Sequence, residues 1–263
     1  MSTASYARWC RYTWWIPAGV FFRLFGFPKN LIFIWVPKSA GTSVAEFFGK
    51  KGFNFHQIKS GAEGNLPLGR LKSFGYQTFG HLSLDELVRS GHLRANYVKT
   101  AILFAVIRNP EDRFLSLFFY YKKLGILARE KIETPAALME KIQLEPPPPP
   151  GLFNWKGLSQ CRPQVEWLPS GMPNKMRLLD FAALPFQFQK LCKDLKMTPD
   201  PLPHTNRSPR ASHLLDFKTR NRIADYYQED LRLLSRIKNE TAFWREKVLE
   251  KKRGAYRPKP RLF

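Results

Sequence analysis

Six consecutive apolar residues, Leu31-Ile32-Phe33-Ile34-Trp35-Val36, run directly into Pro37-Lys38-Ser39-Ala40-Gly41-Thr42-Ser43. The run has the length and the β-branched and aromatic content of a strand. A strand with one solvated face alternates apolar and polar residues, whereas an uninterrupted apolar one must be covered on both faces, as in a parallel sheet. The fold expected around such a strand is α/β, a mainly parallel sheet with helices on both faces. The turn that follows is small, basic and hydroxyl-bearing. Ser43 suits the cap of a helix lined by Val44, Phe47 and Phe48, and Gly41 allows backbone N–H groups to approach an anion closely. Strand, lysine turn and helix make a phosphate cradle. It is not a nucleoside-triphosphate loop, because G-x-x-x-x-G-K-[ST] is absent and the lysine precedes the glycine. Alone, such a turn is more often an ordinary βα connection.

A second segment changes that balance. Ile102-Leu103-Phe104-Ala105-Val106-Ile107 is another buried-strand run, and it ends in Arg108-Asn109-Pro110-Glu111-Asp112-Arg113-Phe114-Leu115-Ser116. Pro110 suits the first turn of a helix, and Phe114, Leu117, Phe118 and Tyr121 recur at helical spacing. Arg108 falls at a strand's carboxyl end, where open α/β sheets bind ligands.

Together the two segments resemble the sulfotransferase superfamily, whose donor is 3′-phosphoadenosine 5′-phosphosulfate (PAPS). The resemblance implies a P-loop-like α/β fold in which Pro37, Lys38, Ser39, Ala40, Gly41, Thr42 and Ser43 hold the 5′-phosphosulfate. It further implies that Arg108 and Ser116, eight positions later, hold the 3′-phosphate. The Pro-Lys-x-Ala-Gly-Thr and Arg-Asn-Pro-x-x-Arg forms look most like the carbohydrate branch, so the implied acceptor is a hydroxyl of a carbohydrate or glycolipid. No metal is implied. Lys38 would neutralise charge on the bridging oxygen as the S–O bond breaks.

The general base is read from a third segment. Ser83 or Asp85 is placed to cap a helix after Gln77-Thr78-Phe79-Gly80, which puts His81 at a strand terminus on the ligand side. Several sulfotransferases carry a histidine base in such a turn, and Gly80-His81-Leu82 looks like it. An attacking hydroxyl must lose its proton, and imidazole has the nearest suitable pKa at neutral pH. Glu46 is the rival base. In related heparan-modifying enzymes the glutamate lies one residue further on, where this chain has Phe47. One residue turns a helix by about 100°, so Glu46 reads as a solvated carboxylate in a first turn.

Elsewhere, Phe53 to His56 reads as a short strand, 122–143 as exposed helix, and Pro146 to Pro150 as a stiff connector. Cys161-Arg162-Pro163-Gln164-Val165-Glu166-Trp167-Leu168 resembles the family's Arg-Pro-Gln segment near the acceptor, or is a short amphipathic helix over the sheet. Met176 to Phe181 reads as a strand and Pro185 to Leu195 as a helix. Asn206-Arg207-Ser208-Pro209-Arg210 looks like the family's late loop, which implies that Ser208 and Arg210 reach the 3′-phosphate, a role suited to arginine's planar fork. Thr219 to Leu249 is a long amphipathic pattern containing Tyr227-Gln228-Glu229-Asp230, similar to the family's Tyr-x-x-Asp.

With 263 residues and 44% hydrophobic content the chain can bury one sizeable core. A single domain is expected over 31–250, between an aromatic and basic segment at 1–30 and a basic tail at 251–263. Lys and Arg outnumber Asp and Glu by 43 to 21, a formal charge of +22, which predicts anionic partners: the nucleotide, an acidic acceptor or a membrane surface. Nucleic acid is not expected, because the basic residues are spread and no zinc-finger or RNP-type pattern is present. Cys10, Cys161 and Cys192 form no disulfide framework or metal spacing, which suits a reducing, cytoplasmic compartment. Within residues 1–30 the aromatics Trp9, Trp14, Trp15, Phe21, Phe22, Phe25 and Phe27 alternate with Arg8, Arg11, Arg23 and Lys29, and the stretch 9–27 carries the membrane reading. Tyr12 to Phe22, the longest uncharged run, falls short of the about 20 residues that span a bilayer. Peripheral membrane contact and an arm packed on the domain both fit.

Two other functions are compatible with parts of this pattern. A catalytically inactive protein that binds nucleotides or anions would share every donor motif. A nucleotide-dependent kinase would need a triphosphate loop and magnesium carboxylates, which the motifs lack.

Overall fold

The computed structural model describes residues 31–50, 55–57, 75–78, 83–89, 94–147, 158–171, 176–203 and 212–255. Five strands occur there: β1 (Leu31–Ile34), β2 (Phe55–Gln57), β3 (Gly75–Thr78), β4 (Ile102–Ile107) and β5 (Met176–Asp180), joined in the order β2-β3-β1-β4-β5. Every pairing among them is parallel. The helices are α1 (Gly41–Lys50), α2 (Leu84–Arg89), α3 (Ala95–Thr100), α4 (Pro110–Lys123), α5 (Ile126–Arg129), α6 (Pro135–Leu144), α7 (Leu184–Asp194), α8 (Phe217–Tyr226) and α9 (Gln228–Ala255). The protein is therefore an α/β fold on a parallel sheet.

The uninterrupted apolar runs are explained by what covers them. Leu31, Phe33, Phe104 and Val106 face Val44, Phe47 and Phe48 of α1 and Phe188, Leu191 and Cys192 of α7. Ile32, Ile34, Leu103, Ala105 and Ile107 face the other way, against Leu84 of α2 and Leu233, Leu234 and Ile237 of α9. Successive strand residues point to opposite faces, so helices on both sides leave no position for a polar side chain. Phe33 stacks on Phe104 with ring centroids 4.9 Å apart, and Phe47 meets Phe188 edge-on at 4.8 Å. A third apolar cluster joins α4, α5, α6 and α8 through residues such as Phe114, Leu127, Leu138 and Ile223.

Several sequence expectations shift. The helix after the lysine turn begins at Gly41, with Val44 N–H donating to Ala40 O at 3.1 Å, so Ser43 lies inside the first turn rather than capping it. The stretch at 122–143 is not one helix: α4 ends at Lys123, Gly125 takes φ 68°, and Thr134 caps α6 by accepting from Ala137 N–H at 3.1 Å. Only glycine adopts that left-handed backbone cheaply, which is why the break falls there. Residues 159–161 and 164–167 form two 3₁₀ turns in place of an amphipathic helix. Phe181 leaves the strand because the Asp180 carboxylate accepts from Ala182 N–H at 2.9 Å and starts a turn. The long carboxyl-terminal pattern is two helices that part at Tyr227, and α9 runs to Ala255, five residues into the stretch read as a tail. Ser83 does cap α2, accepting from Glu86 N–H at 3.2 Å. Among the described residues no helix is long and apolar enough to cross a membrane.

Candidate anion-binding site

β1 and β4 are neighbours, with Leu31 level with Ile102 and Ile34 level with Ala105. Two parallel strands in that register finish together, so the turn 37–40 and Arg108 emerge side by side at the carboxyl edge of the sheet. The turn is strained. Lys38 and Ala40 have φ of 63° and 61°, a left-handed backbone that costs a residue with a Cβ roughly 1–2 kcal/mol. Three tethers hold it: Arg113 Nε donates to Pro37 O at 3.0 Å, an Arg108 guanidinium nitrogen to Lys38 O at 3.1 Å, and Ser39 Oγ to Gln164 Oε1 at 3.2 Å.

The result is a helix start left open. The N–H groups of Gly41 and Thr42 find no acceptor among the described residues. At the start of α4, by contrast, Asn109 Oδ1 accepts from Glu111 N–H at 2.9 Å and Asp112 N–H at 3.3 Å. Free N–H groups and the helix dipole both favour an anion at α1 rather than α4.

Cations gather at the same place. The Lys38 ammonium lies 4.5 Å from the Tyr120 ring centre, and the Arg108 guanidinium 4.5 Å from that of Phe181. Burial, then the charges of Arg108 and Lys123, push the Lys38 pKa below that of an ordinary lysine. Burial also lowers the Arg108 pKa, with Asp112 opposing and Arg113 adding to it. Arg108 Nε is buried and has no hydrogen-bond partner among the described residues. A bound anion would relieve both strains, by countering like-charge repulsion and filling an empty donor. On α4, Asp112, Ser116, Tyr120 and Lys123 fall within about 80° of one another at ~100° per residue. Ser116, 2% exposed, thus shares a stripe with the groups that meet Lys38 and Arg108.

Behind the two turns lies a polar scaffold. Arg113, 1% exposed, donates to Gln160 O at 2.6 Å and Arg162 O at 3.0 Å as well as to Pro37 O. Asp230 is wholly buried; its Oδ2 accepts from Gln164 N–H at 2.8 Å and its Oδ1 from Val165 N–H at 3.0 Å. Burial raises the Asp230 pKa, and Arg113 together with these hydrogen bonds pulls it back. Tyr227 donates its hydroxyl hydrogen to Cys161 O. The Cys161–Leu168 and Tyr227–Asp230 segments, far apart in sequence, are therefore bonded to each other and to the turn.

The structure thus brings Pro37, Lys38, Ser39 and Arg108 together, continues the same turn through Ala40 into Gly41, Thr42 and Ser43 of α1, and places Ser116 on the stripe of α4 that carries Tyr120. Gly41 has an unexpected packing role: a Cβ there would lie 2.0 Å from Trp35 Nε1 and 2.1 Å from Cε2, so the missing side chain makes room for an indole. Glu46 pairs with Lys50 at 2.9 Å across one turn of α1, with 36% of its side chain exposed. His81, Ser208, Arg210 and residues 9–27 lie outside the described residues. The supporting roles of Arg113, Gln164 and Asp230 escaped the sequence reading, although each is a polar residue interrupting an apolar pattern. Comparison with protein-family models finds no matching family, and comparison with curated proteins finds no matching relative.

Proposed function

We propose that this protein is a PAPS-dependent sulfotransferase of P-loop-like fold that sulfates a hydroxyl on a carbohydrate or glycolipid. The observation that carries the reading is the juxtaposition of Lys38, Arg108 and the open start of α1 at one sheet edge, a cationic site with unfilled donors. Gly41 and Thr42 N–H groups and Lys38 hold the phosphosulfate, while Arg108 and Ser116, with Ser208 and Arg210 from the late loop, hold the 3′-phosphate. When bound, PAPS supplies a sulfuryl group: the acceptor oxygen bonds to sulfur as the S–O bond to the phosphate breaks, and that electron pair leaves on the bridging oxygen of adenosine 3′,5′-bisphosphate. Lys38 neutralises the charge gained by the bridging oxygen, the electrostatic effect expected to be largest. His81 takes the proton of the acceptor hydroxyl. The chemistry requires no metal, and three cysteines without a disulfide framework suit a cytoplasmic setting.

Calorimetry tests the donor half of this reading. Arg108→Ala is expected to weaken binding of adenosine 3′,5′-bisphosphate by about 2–5 kcal/mol, the usual cost of removing one partner of a desolvated charge pair. Unchanged affinity would overturn the assignment.

A further inference from the structure

Ser39 follows β1 and Arg108 follows β4, and a single side chain bridges them. The Gln164 amide is fully buried; its Oε1 accepts from Ser39 Oγ at 3.2 Å and from Arg108 N–H at 3.0 Å, and its Nε2 donates to Arg108 O at 2.8 Å and to Asp230 Oδ2 at 3.2 Å. An amide is nearly symmetric in shape, so packing alone does not decide which end carries oxygen. Chemistry decides it here. Reversal would set Nε2 against the Arg108 N–H and Oε1 against both Arg108 O and the Asp230 carboxylate, three contacts between like groups. Asp230 is itself fixed from α9 by the Gln164 and Val165 N–H groups. One amide is thus held in one orientation, with an atom of each turn hydrogen-bonded to its oxygen.

We propose that Gln164 and Asp230 are positioning residues that set the spacing between the two anion-binding turns, so that a ligand with two anionic groups is gripped at both ends. The inference rests on the donor reading, in which the first turn takes a 5′-phosphate and Arg108 a 3′-phosphate. Two linked contacts reinforce each other only while their separation matches the ligand, so a loosened spacer weakens two-point binding far more than one-point binding. General destabilisation has no such preference.

The test is calorimetry on the full chain with adenosine 3′,5′-bisphosphate, adenosine 5′-monophosphate and adenosine 3′-monophosphate, well below the unfolding transition of each variant. Gln164→Met keeps the length and removes all four hydrogen bonds; Asp230→Asn is the milder variant, which carries the test where the first does not fold. In either, bisphosphate affinity is expected to fall about 10- to 100-fold while each monophosphate changes by less than about threefold. Equal losses for all three ligands, or none, would overturn the positioning role and leave the donor reading intact. A wild-type chain that binds none of the three would overturn the donor reading and this inference with it.

Discussion

Replacing Arg113 by Met separates the scaffold from the site it supports. The arginine is almost wholly buried, its guanidinium is bonded to the carbonyls of Pro37, Gln160 and Arg162, and it lies 5.5 Å from the Trp167 ring centre. Methionine has similar length and keeps most of the apolar contact. Hydrogen bonds to a charged group contribute about 1.5–3 kcal/mol each, and the desolvation cost of the guanidinium, absent in the variant, offsets much of that total. A net loss of about 2–4 kcal/mol results, and at ~2–4 °C per kcal/mol Tm drops by about 4–16 °C. The loss also depends on pH. Arg113 is what most strongly opposes the rise of the Asp230 pKa caused by burial, so its removal raises that pKa further. Below the ordinary Asp value of 3.8 the carboxyl is protonated folded or unfolded, and this pH-dependent part of the loss vanishes. As pH rises above it the unfolded chain releases the proton while the folded one retains it, so stability falls up to the folded pKa. The Tm gap between wild type and variant therefore widens from about pH 4.5 to about pH 7.5 when followed by circular dichroism. Equal Tm values at both pH values, or a gap that narrows as pH rises, would refute this account.

Three further outcomes are expected. Gly41→Ala drives a Cβ into the Trp35 indole, and overpacking of that kind costs about 1–3 kcal/mol; a chemical-denaturation midpoint equal to wild type would show that the indole moves freely aside. His81→Ala lowers kcat by about 10²–10⁴ while leaving bisphosphate affinity nearly intact, because a general base contributes only in the transition state. Glu46→Ala, which loses only a surface pair with Lys50, stays close to wild-type activity; steady-state kinetics showing the reverse ranking would make Glu46 the base.

The sheet was legible because burial on both faces leaves a composition that little else produces, as in Leu31–Val36 and Ile102–Ile107. The basic turns after these runs were visible too, but their meeting at one edge depends on strand order, which no local pattern encodes. The same limit hid the scaffold. Arg113, Gln164 and Asp230 find partners far away in the chain, and in an amphipathic pattern such residues look like interruptions. The helix start is hidden for a different reason: Ser43 has the chemistry of a cap, whereas nothing in Lys38 or Ala40 signals a left-handed backbone. That conformation is imposed by tethers from Arg108, Arg113 and Gln164. Gly41 in the sequence suggests room for an anion, whereas its Cβ direction is filled by Trp35.

Transfer of radiolabelled sulfate from PAPS to a panel of glycans and glycolipids decides whether the protein is a sulfotransferase. Label is expected in at least one acceptor, with an equal amount of adenosine 3′,5′-bisphosphate and a rate lower by about 10²–10³ in Lys38→Ala, the scale of losing one preorganised electrostatic group. Tight binding of the bisphosphate with no label transferred to any acceptor would contradict the sulfotransferase reading and make the protein an inactive nucleotide binder with the same site.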